Sequence, residues 1–215
     1  MTKINSKTAL LLFVATIILL PSCIEKPKKV DESISTSKTA AIKKTISNYS
    51  LVNSWIDDLQ NFRTAVSASD LEKMSTYFDF PIVNDTTQIW TAVYEGIEEN
   101  KRPKEYKKFF TKEDLKEYHT LLFNEIFIKS LNKVKLEQLY KQNEFTTQNI
   151  KIGTSNYYVF ASFDKTKSML QVSIMFSGEL DEEGNGISET ESAIIYFFKI
   201  KDDKYLKFDK ILFAG

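Results

Sequence analysis

His119 is the only imidazole in 215 residues, and Cys23 the only thiol. A histidine beside Tyr118, one turn from Leu115 and Leu122, can act as a general base if it faces a pocket. The reading that weighs more is a packed or rim histidine donating one hydrogen bond. One histidine and one cysteine exclude a zinc cluster, and no Cys–His or Ser–His–Asp pattern is present for nucleophilic catalysis. The six glycines form no phosphate-cradling loop, so no cofactor is expected. Asp181, Glu183 and Asn185 stand at positions one, three and five of an oxygen-ligand loop, with Gly186 at six. Ser192 occupies position twelve, where calcium needs a bidentate carboxylate, and strand-like sequence flanks the stretch. The reading is an exposed acidic hairpin turn, with calcium as the weaker alternative. A second set is apolar. Tyr118, His119, Tyr158, Phe160, Met175, Tyr196 and Phe198 are candidates to line a ligand pocket, since such sites are mostly apolar with few polar groups. The competing reading makes most of them core residues beneath helices.

The elements that position these residues follow from periodicity. Val52, Trp55, Ile56, Leu59, Phe62 and Val66 recur at three- and four-residue spacing, which predicts an amphipathic helix. Ser69 and Glu72 predict a capping box opening a second helix, with Leu71, Met74, Tyr77 and Phe78 on its apolar face and Phe80-Pro81-Ile82 at its end. Ile89–Ile97 reads as a short helix. Thr111 and Asp114 form another capping box, with Phe110 and Leu115 placed as a hydrophobic staple. Leu115, Tyr118, Leu122 and Ile126 line one face of that third main helix. Helical pattern then continues through Phe127–Leu131 and Leu136–Tyr140.

From Tyr157 onward the period becomes two. Tyr158 and Phe160 alternate with Tyr157, Val159, Ala161 and Phe163, and Leu170, Val172, Ile174 and Phe176 alternate with Met169, Gln171, Ser173 and Met175. Ile194–Ile200 and Tyr205–Phe213 complete four strands. Asp164–Lys167, Leu180–Ile187 and Asp202-Asp203 are short polar connections of antiparallel hairpins. Helices first and a meander after predict an α+β fold, with N-terminal helices on one face of a curved antiparallel sheet of four or more strands, cone-like in outline.

The N-terminus has a separate signature. Lys3 and Lys7 precede an apolar run from Ala9 to Leu20, interrupted by Thr16 and closed by Pro21. The run is shorter than the roughly 20 residues a membrane span needs and has the layout of a secretion signal. Leu20-Pro21-Ser22-Cys23 resembles the lipobox of bacterial lipoproteins. That resemblance implies cleavage after Ser22 and lipid attachment at Cys23. It also implies the outer membrane as destination, because Ile24 rather than an aspartate follows the cysteine. The expected organisation is a signal peptide over 1–22, a lipidated cysteine and tether over 23–45, and a single domain over 46–215. About 20 flexible tether residues span roughly 25 Å. Of the 29 basic residues, Lys3 and Lys7 lie in the signal, leaving 27 against 29 acidic, a net charge of about −2. No basic surplus points to nucleic acid.

Several phrases of the domain look like the nuclear-transport-factor-2-like, or cystatin-like, α+β superfamily. They are Phe62-Arg-Thr-Ala-Val66, Asp70-Leu-Glu-Lys73, Phe78-Asp-Phe-Pro81, Phe110-Thr-Lys-Glu-Asp-Leu115 with Tyr118, and Tyr205-Leu-Lys-Phe-Asp-Lys-Ile211. The resemblance spans roughly Leu51 to Ala214 and implies a cone of helices on a curved sheet. It matches no catalytic residue of the superfamily's isomerases and dehydratases to a position here. The expectation is a lipid-anchored, non-catalytic module at the cell envelope. It would bind an apolar small molecule or an envelope protein, with a homodimer among the alternatives. A structural or immunity-type interaction protein, or an isomerase or dehydratase using a pocket acid or tyrosine, are the other readings.

Overall fold

Residues 49–152, 155–176 and 191–215 are described by a computed structural model. Cys23, the signal and tether, and the loop carrying Asp181, Glu183 and Asn185 lie outside the described residues. The first main helix, α1 (Trp55–Ser67), opens at Ser54, whose hydroxyl and backbone N–H both reach the Asp57 carboxylate. It buries Trp55, Leu59, Phe62, Ala65 and Val66, which is the stripe the periodicity predicts. α2 (Leu71–Ser75) is a single turn and a half. Its cap is Asp70, which accepts from the Lys73 N–H at 3.0 Å, and not Ser69. Ser69 adopts a left-handed φ of 51° where the chain leaves α1, a geometry incompatible with capping the next helix. Tyr77 and Phe78 lie beyond the end of α2 yet are still buried.

β1 (Ile82–Val83) pairs with β2 (Phe109–Phe110) in a small antiparallel ladder, and α3 (Ile89–Glu95) lies between them in the chain. α4 (Lys112–Leu122) opens on the Thr111–Asp114 capping box, with both reciprocal bonds made. Asn124 then caps a separate helix, α5 (Glu125–Lys133), by accepting from the Phe127 N–H at 3.0 Å. Ile126 therefore belongs to α5 and does not extend the α4 stripe. α6 (Leu136–Gln142) ends on Asn143 in the left-handed conformation.

The main sheet has six antiparallel strands among the described residues. They are β3 (Glu144–Thr146), β4 (Ile150–Ile152), β5 (Ser155–Asp164), β6 (Met169–Phe176), β7 (Ser192–Lys201) and β8 (Tyr205–Ala214). The order is β3-β5-β6-β7-β8, with β4 also on β5, and the sheet does not close into a barrel. Asp202 and Asp203 both have positive φ (53° and 54°) in the β7–β8 turn, as a primed hairpin turn demands. In the β5–β6 turn Asp164 accepts from the Thr166 and Lys167 N–H groups, and the Thr166 hydroxyl first, then the Lys167 ammonium, draw its carboxyl down to about 2.

Both sheet edges are blunted. On β8, the outward N–H groups of Leu206, Phe208, Ile211 and Phe213 donate to Asp58 Oδ2, the Tyr77 carbonyl, Thr87 Oγ1 and Gln88 Oε1 (2.5–3.0 Å). The opposite edge is split between the two three-residue strands β3 and β4. Strands this short are poor templates for pairing with another chain.

The helices pack on one face of the sheet: α1 and α3 against β8, α5 against β5 and β6, α6 against β3 and β5. The space between is filled by rings. Phe62 lies 5.0 to 6.4 Å from Tyr77, Phe198, Phe123 and Phe127. Phe127 in turn lies 4.2 Å from Tyr196. Offset and edge-on aromatic pairs of this kind add attraction beyond their buried area.

Candidate functional site

The seven pocket candidates of the sequence occupy three places and do not line one cavity. Tyr196 and Phe198 point into the core, with the Tyr196 hydroxyl donating to the Leu122 carbonyl at 3.0 Å. Tyr158, Phe160 and Met175 lie on the opposite face of the sheet, where Tyr158 is directly across from Met175. The register decides this: Tyr196 pairs with Val172 in the same layer as Tyr157, Val159 and Ala161, all buried. Residues one position away must face the other side. Tyr118 and His119 sit on α4, away from both groups. Tyr118 packs edge-on against Trp90 at 5.8 Å, and half-buried His119 places Nδ1 3.2 Å from its own helix's Lys116 carbonyl. No catalytic partner approaches His119 among the hydrogen bonds of the described residues. The sheet thus separates Tyr158, Phe160 and Met175 from Tyr196 and Phe198.

Two features emerge instead. The first is the open face of the sheet. Tyr158, Phe160, Met175, Ile195, Phe197 and Leu212 cover adjoining positions of β5 to β8 and are all half-buried. Toward the β7–β8 turn the face becomes polar. Lys199 pairs with Asp209 at 2.5 Å, and the Lys210 ammonium lies 5.2 Å from the centre of the Phe197 ring.

The second feature is a cleft of about 250 Å³ at the far end of the core, where α3 stops short of covering the sheet. Ala92, Leu121, Ile194 and Phe213 form apolar walls, with Tyr196 among the lining. Ile194 and Phe213 are cross-strand partners on the core-facing side of β7 and β8, left half-exposed where the helical layer ends. Gly96 closes α3, and a Cβ there would come within 2.8 Å of Leu121 Cδ2. A glycine therefore lets Leu121 form the wall.

Glu95 supplies the cleft's one charge. It also lines two neighbouring clefts, one of about 600 Å³ toward Gln88 and Ser192, the other of about 480 Å³ toward Arg102 and Tyr106. The residue is exposed at the rim, yet partial burial pushes its carboxyl above the usual carboxylate range, with the Arg102 guanidinium pulling the other way. Arg102 is nevertheless engaged elsewhere. Its Nε donates to the Ile97 carbonyl at 2.8 Å and Nη2 to the Glu95 carbonyl at 3.5 Å, so it caps the end of α3. Among the described residues no cation lies within 4.0 Å of the Glu95 carboxylate. Burial first, and the Glu95 charge second, push the Tyr196 phenol up.

Three polar clusters elsewhere tie elements of the fold together. Asp58 accepts from the Tyr77 hydroxyl at 3.1 Å and the Leu206 N–H at 2.8 Å, tying α1 to β8. Asn61 exchanges two 2.8 Å bonds with the Ser50 backbone. Lys107 pairs with Asp114 at 2.8 Å and lies over the Trp90 ring at 5.0 Å, pinning the segment before β2. No helix among the described residues is long and apolar enough to cross a membrane. Compared with known protein families, curated proteins and solved structures, the chain matches none.

Proposed function

We propose that this chain is a lipid-anchored cell-envelope protein whose α+β domain is a non-catalytic binding module, engaging a second copy of itself through the open face of its sheet. The anchor at Cys23 and the outer-membrane location rest on the signal sequence and lipobox-like tetrapeptide. The single observation that carries the binding reading is the apolar group Tyr158, Phe160, Met175, Ile195, Phe197 and Leu212 on the face that the described helices leave uncovered. With both edges blunted, association falls to this face.

The size is adequate. Four strands about 4.8 Å apart, each contributing about eight residues at 3.3 Å, project roughly 500 Å². The accessible area of side chains standing on such a face exceeds its projection, and so approaches the ~800 Å² per partner of a standard interface. Two chains anchored in one leaflet would also meet at high effective concentration. A catalytic reading has one observation behind it, the approach of Glu95 to Tyr196. The Tyr196 proton is already donated to the Leu122 carbonyl and its phenol is pushed up, so it is poorly placed to act as an acid.

Cross-linking in intact cells tests the proposal. With Cys23 acylated, a cysteine introduced as Ile195→Cys is the only free thiol. A short bis-maleimide should join two chains into a band of twice the monomer mass. The same reagent on Lys116→Cys, on exposed α4, should not. No cross-link at Ile195→Cys, or a product of a different mass, refutes self-association through this face.

A further inference from the structure

We infer that the cleft at the end of α3 is a binding site for a small organic cation, a primary amine carrying an apolar group, with the Glu95 carboxylate as its counter-ion. The cleft lies on the helix-covered side of the sheet, so this inference is independent of the open-face reading. Three observations converge. Glu95 borders three adjoining clefts, so a group held there can extend its apolar part into more than one of them. The walls beside it are the aliphatic and aromatic side chains of Ala92, Leu121, Ile194 and Phe213. The carboxylate has no cation within 4.0 Å among the described residues, since its one guanidinium neighbour is engaged by the backbone carbonyls of Glu95 and Ile97.

The chemistry selects the ligand class. A carboxylate at the rim of an apolar cleft is partly shielded from water and here has no ion pair among the described residues. An ammonium replaces that hydration with a charge-assisted hydrogen bond. A carboxylate ligand would meet repulsion, and a neutral ligand of the same shape would gain only the apolar contact. The exposed amide of Asn124 at the cleft rim uses its oxygen to cap α5 and leaves its NH₂ free for a ligand's acceptor group. A hydroxyl or carbonyl near the amine would therefore be accommodated. Tyr196, with its hydroxyl committed to Leu122, offers the cleft its ring rather than its proton.

Titration calorimetry on the full processed chain in lipid nanodiscs tests this with benzylamine as probe, and benzyl alcohol and benzoate as neutral and anionic counterparts. Glu95→Gln keeps the shape and removes the charge. Ala92→Phe fills the cleft and leaves the charge. Each variant is compared with the parent in identical nanodiscs, which cancels partitioning of the probe into lipid. The expected result is saturable benzylamine binding by the parent, weakened at least ten-fold in both variants. Benzyl alcohol should bind at least ten-fold more weakly than the amine, and benzoate should not bind. Benzylamine affinity unchanged in Glu95→Gln, equal affinity for amine and alcohol, or no saturable binding by the parent would each overturn the assignment. Circular dichroism matching the parent establishes that the variants are folded. If Ala92→Phe fails that check, the Glu95→Gln comparison and the ligand series still decide.

Discussion

Replacing Asp58 with alanine should cost about 3 kcal/mol of folding stability, through hydrogen bonds rather than charge. Asp58 is 4 % exposed, in the first turn of α1, and its two carboxylate oxygens serve different elements. Oδ2 accepts from the Leu206 N–H at 2.8 Å, and Oδ1 from the Tyr77 hydroxyl at 3.1 Å. Both donors belong to side chains or strands that are almost fully buried. A buried donor left without a partner costs about 1–3 kcal/mol. The Leu206 N–H lies on the covered edge of β8, so its loss should fall near 2 kcal/mol on that scale. Tyr77 keeps a long 3.4 Å approach to the Asp58 carbonyl, which places its share near the lower end, about 1 kcal/mol. For a domain of this size, about 3 kcal/mol corresponds to a fall in Tm of roughly 6–12 °C. Asp58→Asn retains one carbonyl oxygen for Leu206 and can reorganise toward Tyr77, so it should cost about 1 kcal/mol. The competing account is that Asp58 acts as an acidic group near the start of α1. That term is about 0.3–1 kcal/mol and would be lost equally in Ala and Asn. Urea unfolding followed by the fluorescence of buried Trp90 separates the two. Equal, small losses in Ala and Asn would refute the hydrogen-bond argument.

Acidification should act on Asp114. Burial alone would raise its carboxyl, but the Lys107 ammonium and the Thr111 N–H and hydroxyl, each at 2.8 Å, outweigh it and hold it below the usual range. A depressed folded value means stability that is complete above the unfolded value, about 3.9, and is lost as pH falls through the folded one. Asp114→Asn should therefore cost about 1–2 kcal/mol at pH 7 through the capping box, and flatten the stability curve below about pH 4. Urea midpoints from pH 7 to 2.5 check both. On the proposed anchoring, Cys23→Ser should abolish the acyl mass and leave the signal segment uncleaved. Intact-mass measurement reads this, and an acylated chain in the variant would remove Cys23 as the anchor.

Local features were legible in the sequence and long-range ones were not. The Thr111–Asp114 box is contained in four residues, and its geometry follows from them alone. The α1 stripe is equally local. At the start of α2, Ser69 and Asp70 are both capping residues, and the choice between them depends on how the chain leaves α1, through a left-handed Ser69. The short strands β3 and β4 have three residues each, too few to show a period, and exist only because β5 provides a ladder. Tyr158 and Tyr196 look alike in sequence, both aromatic within alternating strands. Which side each faces was fixed by where the helices landed, through the pairing of Tyr196 with Val172 and of Tyr158 with Met175. Glu95 carried no signal at all. Its cleft arises from the end of α3 at Gly96 meeting Leu121, Ile194 and Phe213, residues far apart in the chain.

The apolar character of the open face is the strongest argument that the sheet does more than support a core. An antiparallel sheet with one face in water alternates apolar and polar residues along each strand. The polar half of that pattern is present near the β7–β8 turn, with Lys199, Lys207, Asp209 and Lys210. It thins further along, where Phe160, Ile195 and Leu212 share a cross-strand row with the small Ser173, and Tyr158 and Met175 stand in the next. The core gains nothing from these residues, because Phe62, Phe123, Phe127, Tyr196 and Phe198 already fill the space under the helices from the other side. Within the first row, Ser173 Oγ accepts from the Gln171 side-chain N–H at 2.8 Å, which lowers the cost of excluding water from that position. Apolar side chains arranged in adjoining rows, with a polar pair already bonded internally, suit a face that is covered when the protein works. That is why the cross-link is placed at Ile195, in the middle of the Phe160–Leu212 row.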